Sequence, residues 1–132
     1  MSPELISPNK FNMKEGRQTK ESDCYALGMV IYEVLSGQAP FAPREGLAIV
    51  SRVVEGERPA RPHGEEGLRF TADLWEMLGL CWKPQPGDRP GLDVVLGCLR
   101  GCGKQGGSKE GWFTKFVRNT SKVFKVKKTR GP

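Results

Sequence analysis

Few residues in this 132-residue chain are of types that carry chemistry, and their spacing narrows what they can do. The soft ligands are one histidine, His63, and four cysteines, Cys24, Cys81, Cys98 and Cys102. No CxxC pair occurs, so neither a zinc knuckle nor a redox dithiol is spelled out. Buried reduced thiols in a reducing compartment are the expected reading. Gly101-Cys102-Gly103-Lys104-Gln105-Gly106-Gly107 is rich in glycine, as phosphate cradles are. It follows a helical stripe rather than a strand, and it lacks the Gly-Lys-Ser/Thr ending of a phosphate-binding loop. The remaining constellation lies near the C-terminus, where Trp112, Phe113, Phe116 and Phe124 alternate with Lys115, Arg118, Lys122 and Lys125. On a helical wheel the aromatic residues, with Val117, Thr120 and Val123, fill an arc of roughly 140° with the cations opposite. A basic amphipathic helix of this kind suits an anionic membrane surface or a calmodulin-like groove; the alternatives are a disordered basic tail and an extra helix docked on the body. No residue is assigned a catalytic, cofactor-binding or metal-ligating role.

The elements that must position such residues follow from charge and periodicity. The net charge is +6, but residues 1–102 hold 12 Lys/Arg against 14 Asp/Glu. Residues 103–132 hold nine against one, Glu110, so the basicity belongs to the tail. An acidic body removes the main electrostatic support for nucleic-acid binding, and nucleic acid is not an expected partner. The first residues lack the charged and apolar regions of a signal peptide. The most apolar run, residues 24–32, is too short to span a bilayer. A cytoplasmic location is expected, with attachment to the periphery of a membrane through the tail as an alternative.

Residues 1–21 read as irregular with one short helical turn. Ser22 is expected to cap a helix over 23–36 that Gly37 closes. Its sequence, DCYALGMVIYEVLS, is apolar on nearly every face, and such a helix must be surrounded by protein. Leu47, Val50 and Val54 predict a short helix ending at Gly56, and residues 57–69 a polar loop. Thr71 is an expected N-cap for a helix carrying Leu74, Met77, Leu78 and Cys81 at i, i+3, i+4, i+7. Prolines 84, 86 and 90 exclude a helix across 83–90. A last helix carries Leu92, Val95, Leu96 and Leu99 on one stripe. There is no defensible strand and no internal repeat. The predicted fold is all-α, with a helical body over 1–101, a flexible Gly/Ser/Lys linker over 102–111 and the basic amphipathic tail over 112–132.

Four short motifs stand in register along the body. Ser2-Pro3-Glu4 resembles the Ala-Pro-Glu that closes a protein kinase activation segment. Ser22-Asp23-Cys24-Tyr25-Ala26-Leu27-Gly28 resembles the Asp-x-x-x-x-Gly helix at the centre of a kinase C-lobe. Ser36-Gly37-Gln38-Ala39-Pro40-Phe41 looks like the loop that leaves that helix. Cys81-Trp82-Lys83-Pro84 with Asp88-Arg89-Pro90 resembles the CW-x-P…RP signature of the tyrosine-kinase and tyrosine-kinase-like groups. Over residues 1–100 the chain thus resembles the lower, C-terminal part of a protein kinase C-lobe. The resemblance implies that Glu4 pairs with Arg89, in a fork whose geometry suits a fixed tie. It also implies that Asp23, which in the family bonds the catalytic-loop backbone, and Gly28 belong to the central hub, and that Trp82 is a packing residue.

Phosphoryl transfer needs a Gly-rich loop over the phosphates, a Lys for the α/β-phosphates, a base Asp and metal-binding Asp/Asn. None of GxGxxG, VAIK, HRD or DFG occurs in the sequence. ATP and Mg²⁺ are therefore implied only through upstream residues, and this chain by itself is expected to be inactive. The family activity, ATP-dependent phosphorylation of proteins, would require a missing upstream kinase half as partner. The alternatives are a non-catalytic protein-binding module and a peripheral membrane protein held by its tail. Without that half, Cys24, Ala26, Leu27, Val30, Ile31 and Val34 are expected to stand uncovered. Three bare side chains of this kind forgo roughly 5–9 kcal/mol, comparable with the stability of a whole domain.

Overall fold

Two prolines break the N-terminal segment into short pieces. The computed structural model, which describes residues 1–44 and 46–102, places α1 at Pro3–Ile6 and a 3₁₀ turn at Pro8–Phe11. Proline at the first helical position costs no hydrogen bond, because that N–H is an orphan in any helix. Asn12 then turns the chain through the left-handed region at φ 57°.

The central helix, α2, spans Lys20–Ser36. It starts at Lys20 rather than Asp23 because Thr19, not Ser22, is its N-cap. The Ser22 N–H donates to Thr19 Oγ1 at 3.1 Å, and the Thr19 N–H donates to Ser22 Oγ at 2.8 Å. This reciprocal box satisfies two donors that the first turn would leave unpaired. Gly37, at φ 70°, closes the helix by donating to Glu33 O.

Downstream come α3 (Leu47–Val54), α4 (Gly64–Leu68), α5 (Ala72–Cys81), a 3₁₀ turn at Pro86–Asp88 and α6 (Leu92–Cys102). The segment expected as a polar loop thus contains one helical turn, α4. Gly67 permits it, since a Cβ there would collide with the Pro62 carbonyl oxygen. Thr71 caps α5 by accepting from Leu74 N, and Leu74, Met77, Leu78 and Cys81 are all buried. α6 differs from expectation in two ways. It continues through Cys102, the first residue of the expected linker, and its seam runs along Val95 and Cys98. Leu92 and Leu96, expected on that seam, are 43% and 46% exposed. The seam has rotated one position around the helix, onto an i, i+3 pair with smaller side chains. The rest of the linker and the basic amphipathic tail lie outside the described residues.

α5 packs against both α2 and α6. Between them, Tyr32, Phe70, Trp75 and Trp82 close a ring of four aromatic contacts with centroids 5.6–6.1 Å apart. Offset and edge-on pairs at this spacing add to the value of plain burial. There is no strand among the described residues, and none of their helices is long and apolar enough to cross a membrane.

The surroundings of α2 correct a further expectation. Its buried side is Ser22, Cys24, Tyr25, Gly28, Tyr32 and Ser36. Asp23, Ala26, Val30 and Val34 form an exposed stripe on another face, with Val30 at 55% and Val34 at 72%. Leu27 and Ile31 are partly buried against the core, and Cys24 is fully buried. The helix is apolar all round in sequence, yet the described residues cover it on one side.

Candidate functional site

Arg89 follows the 3₁₀ turn, where the extended backbone imposed before Pro90 directs its side chain inward. It meets Glu4, which the first turn of α1 holds. Nη1 donates to Glu4 Oε1 at 2.7 Å and Nη2 to Oε2 at 2.8 Å, with side chains 0% and 1% exposed. The remaining donors reach backbone carbonyls. Nε bonds Lys83 O at 2.9 Å, Nη1 also bonds Glu21 O at 3.0 Å, and Nη2 also bonds Pro84 O at 3.3 Å. All five guanidinium N–H groups thus have an acceptor, the full capacity of the side chain. One residue ties α1, the start of α2 and the loop before α6 together. Burial alone would raise the Glu4 carboxyl pKa. Hydrogen bonds from Arg89 and neighbouring groups, with the Arg89 charge, outweigh it and hold the pKa below the ordinary value.

Tyr25 lies between two cations. Arg89 stands 5.0 Å and Arg58 5.3 Å from its ring centroid. Burial pushes the Tyr25 phenol up, against the pull of the two arginines. Arg58 donates from Nε to Trp82 O at 2.7 Å, and from Nη1 to Val53 O and Glu57 O. It satisfies carbonyls at the C-terminal ends of α3 and α5 that no helical N–H can reach. Arg61 does the same for Phe70 O and stacks on Trp75, and Arg69 donates to Leu35 O. Motif reading did not single out Arg58, Arg61 or Tyr25. A signal existed, since Arg58-Pro59, Arg61-Pro62 and Arg89-Pro90 repeat one dipeptide in the irregular segments.

Gly28 and Trp82 meet directly. A Cβ on Gly28 would lie 2.6 Å from Trp82 Nε1 and 3.1 Å from Cys81 Cβ, so only glycine admits the indole against α2. Trp82 packs as part of the aromatic ring, on the buried side. Asp23 is elsewhere. It is exposed in the first turn of α2, at one end of the stripe that continues through Ala26, Val30 and Val34. Cys24, Cys81 and Cys98 are buried. A hydrogen bond with Cys24, together with burial, pushes the Cys81 thiol up, so it stays protonated. The expected anchor residues Trp112, Phe113, Lys115, Phe116, Arg118, Lys122, Phe124 and Lys125 lie outside the described residues.

A family model described as protein tyrosine and serine/threonine kinase matches residues 1–99. The chain belongs to that kinase family. It is 34% identical over 91 residues to protein sevenless of Drosophila melanogaster, covering 68% of this chain and 3% of that protein. It is 32% identical over 98 residues to leucine-rich repeat serine/threonine-protein kinase 1 of Caenorhabditis elegans, covering 74% and 4%. It is 34% identical over 92 residues to serine/threonine-protein kinase VIK of Arabidopsis thaliana, covering 68% and 19%. The chain therefore spans under a fifth of the length of each of these relatives. With its helices and its four motifs in register, it is the C-terminal part of a kinase C-lobe.

Among the described residues no three His, Cys, Asp or Glu side chains come together in a group that could hold a metal. Asp23, a lone carboxylate beside Ala26 and Val30, offers no second donor of its kind. What the arrangement does chemically is hold a frame. It buries one charge pair without loss of hydrogen bonds and presents α2 on its far side.

Proposed function

We propose that this chain is the helical base of a protein kinase catalytic domain, and that its exposed α2 stripe seats a nucleotide-binding half. ATP-dependent phosphorylation of protein substrates, with Mg²⁺–ATP, belongs to that assembled domain. The observation that carries this reading is the stripe of Asp23, Ala26, Val30 and Val34 on a helix otherwise built into the core. Apolar side chains in register with one carboxylate match a surface made to be covered by protein and to bond its backbone. The rigid Glu4–Arg89 tie supports the same reading, since it fixes the end of the activation segment relative to α2.

A second reading keeps the surface and drops catalysis, making the stripe the recognition face of a non-catalytic binding module. The test is a phosphotransfer assay of the purified 132-residue chain with labelled ATP, Mg²⁺ and mixed protein substrates. No incorporation is expected from the chain alone. Incorporation that survives repurification would overturn the proposal.

A further inference from the structure

We infer that the groove between α1, α2, α3 and the loop after Gly37 is a docking site for this chain's own C-terminal segment, residues 112–116. This goes beyond the kinase reading and does not depend on it. The groove holds about 280 Å³ and is walled by Tyr25 and Met29 of α2, Ile49 and Val53 of α3, and Phe41; Val30, which it shares with the exposed stripe, is not needed to seat a ring. Phe41 is held at φ 68°, a left-handed conformation rare for an aromatic residue, which fixes the wall it forms. The volume is at the small end for ligand pockets and suits one or two rings rather than a whole helix.

Charge and length select the occupant. Among the described residues Glu33 is the one charged side chain lining the groove, and it makes no ion pair with any of them. The body carries two more acidic than basic residues, whereas residues 103–132 carry nine Lys/Arg against one Glu. Trp112-Phe113-Thr114-Lys115-Phe116 sets three rings around one cation, the complement of an apolar slot with one acid. The ten residues from Cys102 to Trp112 reach about 34 Å when extended, a span comparable with the diameter of a small domain. Docking seats a ring among Met29, Ile49 and Val53 and brings Lys115 to Glu33. A tail seated this way is unavailable to membranes or other proteins until something displaces it.

The test uses the full chain with the photo-reactive substitution Phe116→p-benzoyl-phenylalanine, mapped by mass spectrometry after irradiation. The expected adducts fall within residues 29–41 and 47–54 of the same molecule. Glu33→Lys, at an exposed position with little influence on folding, should lower their yield about two- to fivefold, the range of one surface ion pair. The added change Lys115→Glu should restore it. Adducts between two chains, adducts confined to other faces, or a yield indifferent to Glu33→Lys would each overturn the proposal. So would adducts to the groove that a scrambled 112–116 sequence forms equally well.

Discussion

Replacing Arg89 tests the frame where it is most concentrated. Arg89→Ala removes a side chain of zero exposure and leaves the Glu4 carboxylate buried, with the carbonyls of Lys83, Glu21 and Pro84 stripped of their donor. Breaking a buried pair from one side costs about 3–5 kcal/mol. That is a large share of a small domain's total of about 5–15 kcal/mol. Arg89→Lys keeps the charge but offers three donors instead of five, in a geometry that cannot fork, and should lose about 2 kcal/mol. The pH dependence carries the sharper signature. In the native chain the Glu4 pKa is lowered, so its contribution is complete above the ordinary value of about 4.3 and is lost as pH falls through the folded value. In Arg89→Ala, burial is opposed only by the backbone and Ser2 hydrogen bonds, and the Glu4 pKa rises. The penalty of that variant is then relieved in acid and grows as pH rises through the raised value. Urea denaturation followed by far-UV circular dichroism at about pH 7 and about pH 5 reads both effects. A loss below about 1 kcal/mol at neutral pH, or a deficit that does not shrink in acid, would refute the reasoning. If Arg89→Ala abolishes the cooperative transition at neutral pH, Arg89→Lys supplies the magnitude.

Three further perturbations follow from local geometry. Gly28→Ala drives a Cβ to 2.6 Å from Trp82 Nε1; overpacking of about 1–3 kcal/mol outweighs a helix-propensity gain of about 1 kcal/mol, and a more stable variant in urea melts would contradict it. Thr19→Ala breaks the capping box of α2 and should cost about 1 kcal/mol, seen as an earlier denaturation midpoint at unchanged slope. Val34→Asp, at a position 72% exposed, should alter the stability of the chain by no more than about 0.5 kcal/mol. A large loss there would mean that the described body already covers that face.

What the sequence made legible was the punctuation and the motifs. Gly37 and Thr71 marked helix ends by conformational and capping preferences that act within a few residues. The resemblance of Ser-Pro-Glu and Arg-Pro to kinase motifs implies a tie between residues 85 apart, and the structure shows it. The covered side of α2 could not be read, because periodicity carries no information when every face is apolar. Asp23 illustrates the consequence: it belongs to the central helix, and only the structure shows that it stands on the open stripe. The α6 seam keeps Val95 and Leu99 of the expected stripe but not Leu92 and Leu96. Leu92 and Leu96 outrank Cys98 in hydrophobicity, yet packing against α5 selects Val95 and Cys98. Arg58 and Arg61 escaped notice because their acceptors are backbone carbonyls, which leave no mark on residue type. The aromatic ring of Tyr32, Phe70, Trp75 and Trp82 joins separate segments, and nothing local announces it.

The central claim is that this body is the base of a larger kinase domain whose other part covers Val30 and Val34. The most direct measurement is the intact mass of the native protein, captured from its source with an antibody against residues 1–102. The account predicts a chain well above 14.6 kDa, carrying phosphate-binding and catalytic-loop motifs ahead of Ser2-Pro3-Glu4. A native chain of 14.6 kDa with no such segment would contradict it.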